Sequence, residues 1–240
     1  MRSLPSIFIL ASIASLPIVG EVSPPKNAFL FQPCFYWANG AITAQGTGFF
    51  IRTGNGKTVA ITSAHFINFN GPALRSAEWL SLVEGKPQAT LTQLWGSPGN
   101  AGVLKPLDLR PDFLVFFVPT KVPEDFMISL DTRTSIPSGE LIWLPNKKTT
   151  LPGYTLISGH VLASTTTFIT IELDVAVPLQ SQSGTPIISQ DTGKVIGTVS
   201  LGDQEHGHTV LTIAPASALL QLVASQKPLL PVHSAIGKTP

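Results

Sequence analysis

The sequence is poor in cysteine, in charged residues and in long apolar runs. Its 240 residues include one cysteine, which excludes an intramolecular disulfide framework and a cysteine-rich zinc site. Charged residues make up 12% of the chain and the formal net charge is +1. The chain therefore lacks the strong positive electrostatic field that would attract nucleic acid or an anionic membrane. We therefore expect a globular protein with no nucleic-acid partner and, after removal of any leader, no membrane partner.

The N-terminus has the pattern of a secretory signal peptide. Arg2 supplies a positive charge, residues 4–19 carry no charged side chain, and the small residue Gly20 follows. This apolar run is interrupted by two prolines and is shorter than the roughly 20 residues of a transmembrane helix. We expect residues 1–20 to be cleaved and the mature protein to be secreted or periplasmic. An uncleaved membrane anchor is the alternative.

Glycine and proline are abundant, at 20 and 21 residues, and they divide the rest of the sequence into short segments. β-Branched and aromatic runs alternate with turn residues, which is the pattern of an all-β barrel or sandwich. The predicted strands are 41–52, 58–63, 88–95, 113–118, 141–144, 154–162, 168–173, 185–188, 195–201 and 209–213. One helix is predicted at 216–225, and the last dozen residues are expected to form a loose tail.

Three short segments carry residue types used in nucleophilic catalysis. The segment 182–186 (Gln-Ser-Gly-Thr-Pro) places Ser183 in a sharp turn before an apolar strand, although such a turn is also common on protein surfaces. His65 follows the apolar strand at 58–63, where it can serve as a general base or as a structural histidine. Asp112 precedes another apolar run and can orient a histidine ring or cap a turn, and Asp108 is a rival carboxylate.

Taken together, these segments resemble the trypsin-like, chymotrypsin-fold serine peptidases. Residues 46–51 (Gly-Thr-Gly-Phe-Phe-Ile) resemble the strand before the family's histidine, and 62–65 (Thr-Ser-Ala-His) resemble its Thr-Ala-Ala-His box. Asp112 and its strand resemble the Asp-Leu-Ala-Leu element, and 181–186 (Ser-Gln-Ser-Gly-Thr-Pro) is similar to the Gly-Asp-Ser-Gly-Gly-Pro signature. The order His, Asp, Ser is that of the family, and the resemblance spans about residues 40–213.

The resemblance implies an all-β fold of two antiparallel six-stranded β-barrels (chymotrypsin-like) with a short C-terminal helix. An N-terminal barrel would span 21–120 and a C-terminal barrel 121–214, followed by the helix at 215–227 and a tail at 228–240. Phe66 stands where animal members have a cysteine, which is typical of a bacterial-type, disulfide-free member.

The resemblance also implies a catalytic triad and an oxyanion hole. Ser183 would be the nucleophile, His65 the general base and then acid, and Asp112 the residue that orients the histidine. The backbone N–H groups of Ser181 and Ser183 would bind the oxyanion. The expected reaction is endopeptidase hydrolysis of a protein or peptide, without metal or cofactor.

The same resemblance implies which residues bind the substrate. Val177 falls where the family places the base of its primary specificity pocket, and it cannot neutralise an Arg or Lys side chain. We therefore expect a small or apolar residue before the scissile bond. Residues Ser200, Leu201 and Gly202 resemble the Ser-Trp-Gly strand that pairs with the extended substrate backbone.

Two residues depart from the family signature. Position 181 is Ser where the family has Gly, a residue often used for backbone conformations that others resist. If the Ser181 N–H points away from the oxyanion, the lost donor costs about 2.7–4 kcal/mol in the transition state. Position 182 is Gln where digestive relatives have an Asp that pairs with a newly cleaved N-terminal amine. We expect that route of activation to be closed to this chain.

The sequence is also compatible with two other functions. A catalytically inactive protease-like domain that binds extracellular protein is the main alternative, and Ser181 is its main support. A β-sandwich adhesion module is a third. The polar segment 203–208 is predicted as a solvated hairpin rather than a metal site, and in the family arrangement its His206 or His208 would border the substrate cleft. Cys34 is predicted to be a buried thiol.

Overall fold

A computed structural model describes residues 23–25, 28–67, 70–99, 107–147, 153–205, 207–224 and 227–237. The predicted signal peptide, 1–20, and His206 lie outside the described residues. No helix in the described ranges is long and apolar enough to cross a membrane.

The first half of the chain forms two antiparallel sheets. Its strands are β1 (Phe31–Trp37), β2 (Ile42–Ala44), β3 (Phe49–Arg52), β4 (Thr58–Thr62), β5 (Leu74–Ser81), β6 (Pro87–Leu91), β7 (Gln93–Trp95) and β8 (Leu114–Phe117). The strand orders are β2-β1-β5-β6 and β15-β7-β8-β4-β3, where β15 is the C-terminal strand Leu229–Pro231. A bridge between Phe31 and Gly48 links the two sheets. Large aromatic side chains, including Phe35, Trp79 and Phe116, are fully buried between them.

The second half forms a closed six-stranded barrel. Its strands are β9 (Leu141–Lys147), β10 (Tyr154–Ser164), β11 (Ile169–Leu173), β12 (Pro186–Ser189), β13 (Val195–Glu205) and β14 (His208–Pro215), in the order β10-β11-β14-β13-β12-β9. Strand β11 shows the period-two pattern that a barrel requires, because Ile169, Ile171 and Leu173 are buried and the residues between them are partly exposed. The predicted all-β, chymotrypsin-like architecture is confirmed, with one closed six-stranded barrel in the second half and two packed sheets where the first six-stranded barrel was predicted.

The C-terminal helix α1 (Ala216–Ala224) follows β14 directly and buries Leu219 and Val223. The residues after it do not form the loose tail that we expected. Strand β15 (Leu229–Pro231) pairs with β7, and the short helix α2 (Val232–Ala235) follows it. Val232 and Ile236 are completely buried against the first half of the chain, so apolar burial fixes this segment.

An ion-pair cluster anchors the segment that enters the second barrel. Arg133 Nη2 lies 2.7 Å from Asp131 Oδ2 and 2.7 Å from Glu140 Oε1, and both carboxylates are buried. Burial alone would raise the pKa of Asp131, but hydrogen bonds from Arg133 and Thr192 hold that pKa below its usual value. The cluster therefore keeps two buried charges paired beside the barrel.

Candidate functional site

The histidine and aspartate predicted from the sequence lie in direct contact. His65 sits in a single 3-10 turn, Ala64–Phe66, immediately after β4, and Asp112 lies just before β8. Because β4 and β8 are paired neighbours, the end of one strand and the start of the other meet at the same edge of the sheet. The fold of the first half thus brings together two residues that are far apart in sequence.

Asp112 orients the His65 ring. Its Oδ2 lies 2.9 Å from His65 Nδ1, and its Oδ1 accepts the His65 backbone N–H at 3.0 Å. A carboxylate can only accept in such a pair, so Nδ1 carries the proton and Nε2 is left as the acceptor. The Asp112 side chain is 3% exposed and that of His65 is 29% exposed, so a substrate can reach the ring but not the carboxylate.

Ser200 makes a third contact to Asp112, which sequence reasoning missed. Its hydroxyl donates to Asp112 Oδ2, and Ser200 itself is buried. The pairing of β13 with β14 shifts register between Val199 and Leu201, so Ser200 is the extra residue of a β-bulge, a feature that re-aims side chains. We predicted Ser200 only as part of the substrate-pairing strand, because a register shift leaves no mark in the sequence.

The rival carboxylate, Asp108, lies in a different contact. It forms a surface ion pair with Arg110, whose Nη2 is 2.6 Å from Asp108 Oδ2. The Arg110 hydrogen bonds lower the pKa of Asp108. Among the described residues, Asp108 makes no hydrogen bond to His65.

Ser183 lies in a loop of two consecutive turns. The Gln182 N–H donates to the Leu179 carbonyl at 3.2 Å, and the Thr185 N–H donates to the Gln182 carbonyl at 3.0 Å. Each turn has a positive φ at its third residue, 68° at Ser181 and 80° at Gly184, as in type II turns. Ser181 is the only residue other than glycine with a positive φ in the described part of the chain. It therefore adopts the conformation for which glycine is preferred at this position.

The loop 179–185 carries the predicted nucleophile and is called the nucleophile loop below; it packs against the segment that carries His65. Thr47 N–H donates to the Ser183 carbonyl at 3.0 Å, and Thr62 Oγ1 donates to the Thr47 carbonyl at 2.7 Å. A Cβ at Gly184 would lie 2.2 Å from the Thr47 carbonyl oxygen and 2.6 Å from Thr62 Oγ1, so only glycine fits there. Only two residues, Ser63 and Ala64, separate the Thr62 contact from His65.

The hydrogen bonds of the described residues include none between the Ser183 hydroxyl and the His65 ring. The backbone N–H groups of Ser181 and Ser183 likewise have no protein acceptor within the described ranges. Catalytic hydrogen bonds are often long or poorly aligned before substrate binds, and oxyanion donors must be left unpaired until then. Within the described residues, the Ser181 and Ser183 N–H groups are therefore not occupied by a protein acceptor.

The predicted substrate-binding residues lie on the second barrel. Val177 is buried, and its N–H donates to Thr209 Oγ1 at 2.9 Å. Leu201 is 39% exposed. Strand β12 pairs with β13 only as far as Thr198, which leaves Leu201 and Gly202 without a β12 partner on that edge. This edge is open to an added strand.

Of the polar 203–208 segment, Asp203–Glu205 and His208 take part in the pairing at the end of the β13–β14 hairpin, and His206 lies outside the described residues. His208 Nδ1 lies 3.8 Å from Glu172 Oε1, and His160 Nε2 lies 3.6 Å from Glu172 Oε2. In the part of the chain that the structure describes, no group of three His, Cys, Asp or Glu side chains is arranged to hold a metal ion.

The comparisons with known proteins support the fold. No protein-family model and no curated protein matches the sequence. Among solved structures, the active form of the Rv3671c protease from M. tuberculosis is 16% identical, with 95% of this chain and 99% of that chain covered and a TM-score of 0.58. The thermostable serine protease AL20 from an extremophilic microorganism is 13% identical, with 82% and 95% covered and a TM-score of 0.57.

A third similar structure is the HtrA-type protease AlgW with a tripeptide. It is 16% identical, covers 80% of this chain, and has a TM-score of 0.53. The matching region of this chain spans only 57% of the length of AlgW. At these identities the likeness concerns the fold, and the resemblance to the chymotrypsin-fold serine peptidases is confirmed at that level.

Proposed function

We propose that this chain is a secreted or periplasmic serine endopeptidase with Ser183 as its nucleophile. The observation that carries the proposal is the Asp112 carboxylate, which is buried and bonded to His65 Nδ1. That contact leaves Nε2 as the proton acceptor, on a ring whose segment packs against the nucleophile loop. The serine-protease fold of the neighbours supports the same activity.

The reaction would proceed through an acyl-enzyme. As the Ser183 side chain rotates towards His65, Nε2 takes the hydroxyl proton and Oγ attacks the peptide carbonyl carbon. The Ser181 and Ser183 N–H groups stabilise the oxyanion, and His65 then gives its proton to the leaving amine. Water, deprotonated in turn by His65, attacks the acyl carbon and releases the second product, which restores Ser183.

The substrate would bind as an extra strand. Its backbone would pair with the open edge at Ser200–Gly202, so that its carbonyl reaches Ser183 and the preceding side chain enters the space near Val177. Apolar side chains lie beside the open edge, since a Cβ at Gly202 would lie 2.7 Å from Leu179 Cδ2 and 2.9 Å from Leu211 Cδ2, and Val177 is itself apolar and buried. We expect a small or apolar residue before the scissile bond.

Digestion of an unstructured protein by the mature chain tests this function. Mass spectrometry of the products should reveal cleavage after small or apolar residues, and Ser183→Ala should produce none. Wild-type protein that leaves the substrate intact would refute the proposal.

A second candidate function is peptide binding without cleavage. One observation favours it: the hydrogen bonds of the described residues include none between the Ser183 hydroxyl and the His65 ring. In that case peptides would bind equally well to wild-type protein and to Ser183→Ala, and neither protein would cleave them. Cleavage by the wild type alone separates the two functions.

A further inference from the structure

The residue before the proposed nucleophile has an unusual environment. Gln182 is 5% exposed although it lies in a surface loop. Its side-chain Nε2 donates to Asn146 Oδ1 at 2.7 Å and to the Pro178 carbonyl at 3.2 Å. Asn146 lies on β9, a strand of the closed barrel, so this contact ties the loop to the rigid part of the fold.

The backbone of Gln182 is fixed as well. Its N–H closes the first turn on Leu179, and its carbonyl closes the second turn with Thr185. Gln182 is therefore the residue that both turns share. The two unused N–H groups, on Ser181 and Ser183, lie on either side of it.

Ser181, which precedes Gln182, has a strained backbone that must be held in place by contacts of this kind. Ser181 has a φ of 68°, which a residue with a side chain keeps only where surrounding contacts hold it. If Gln182 were released, the chain could relax Ser181 to a negative φ and rotate the peptide N–H. An oxyanion donor displaced in this way no longer points at the reacting carbonyl.

We propose that Gln182 is a positioning residue: its contact with Asn146 holds the nucleophile loop in the active conformation, and no newly cleaved N-terminal amine is needed to do so. This inference rests on the proposed peptidase function. Both partners are neutral amides within the folded chain, so the loop needs no α-amino group to hold it. The active arrangement is then constitutive, and it does not depend on the ionisation of an N-terminal amine.

The test compares five proteins: wild type, Gln182→Ala, Asn146→Leu, Asn146→Asp and Gln180→Ala. Asn146→Asp keeps an oxygen to accept from Gln182, whereas Asn146→Leu removes it at similar size. Gln180 is exposed in the same turn and serves as the matched control. The measurements are kcat and KM on a chromogenic peptide with alanine before the scissile bond, the labelling rate with a fluorophosphonate, and the melting temperature.

We expect Gln182→Ala and Asn146→Leu to lose about 10- to 100-fold in kcat, with KM within about threefold and little change in melting temperature. Asn146→Asp and Gln180→Ala should keep wild-type kcat. Acetylation of the wild-type N-terminus should leave kcat unchanged. A Gln182→Ala enzyme within twofold of wild type, or equal rates for Asn146→Leu and Asn146→Asp, would overturn the inference. So would loss of kcat on acetylation.

The inference and the proposed function fail in different ways. Wild-type protein that neither reacts with the fluorophosphonate nor cleaves the peptide refutes both. An active wild type whose Gln182 and Asn146 variants are equally active refutes only the positioning role. A melting temperature that falls in parallel with kcat in Gln182→Ala and Asn146→Leu shows a merely structural contact, and it also refutes that role.

Discussion

Replacing Asp112 by Asn tests the orientation of the histidine at nearly constant volume. The Asp112 carboxylate accepts from the His65 backbone N–H, from His65 Nδ1 and from the Ser200 hydroxyl. An asparagine has one oxygen and one NH2 group, so it cannot accept all three. With the NH2 group facing Nδ1, that nitrogen becomes an acceptor and the proton moves to Nε2, where it blocks proton transfer from Ser183.

The expected loss is large. In serine proteases, the wrong histidine tautomer lowers kcat about 10⁴-fold, which corresponds to about 5.4 kcal/mol in the transition state. The assay is the second-order rate of fluorophosphonate labelling, together with circular dichroism to verify folding. Asp108→Asn is the matched control, because Asp108 pairs with Arg110 at the surface, and it should label at the wild-type rate. Labelling of Asp112→Asn within tenfold of the wild-type rate would refute this reasoning.

Three further changes test the fold around the site. Ser181→Gly should raise the unfolding free energy by about 0.5–1 kcal/mol in denaturant melts, because relief of about 1–2 kcal/mol of strain exceeds the entropic cost of glycine; a loss of stability would contradict this. Arg133→Met should lower the unfolding free energy at pH 7 by about 3 kcal/mol, because it leaves the buried carboxylates of Asp131 and Glu140 without their cationic partner. The contacts of Arg133 hold the pKa of Asp131 low, so their stabilisation should be complete above the ordinary aspartate pKa of about 3.9 and should decrease as the pH falls below it towards the lowered pKa; a loss at pH 3 as large as that at pH 7 would argue against it. Ile236→Ala should lower the unfolding free energy by about 2–4 kcal/mol in the same melts, because it leaves a cavity in the core, and His233→Ala should change it very little. Equal unfolding free energies for the two variants would indicate that the C-terminal segment is not packed.

Local patterns in the sequence predicted much of the fold. Apolar runs bounded by turn residues located most strands of the second barrel and the helix α1, because burial in a barrel leaves a period-two pattern. The same runs placed His65 and Asp112 at strand ends, where pairing of β4 with β8 brings them together. Their catalytic roles, and that of Ser183, remain predictions.

Features that depend on distant contacts could not be predicted. Strand β1 was missed because Pro33 lies inside it, and proline argues against an internal strand. The burial of Val232 and Ile236 depends on sheets formed far earlier in the chain. The bulge at Ser200 and the contact of Gln182 with Asn146, 36 residues away, are matters of register and tertiary packing.

Intact-mass analysis after treatment with a fluorophosphonate tests the central claim most directly. The account predicts one adduct on the wild-type protein, mapped by peptide digestion to Ser183, and no adduct on Ser183→Ala or His65→Ala. Wild-type protein that remains unlabelled while a control serine peptidase reacts, or an adduct that maps to another residue, would contradict it.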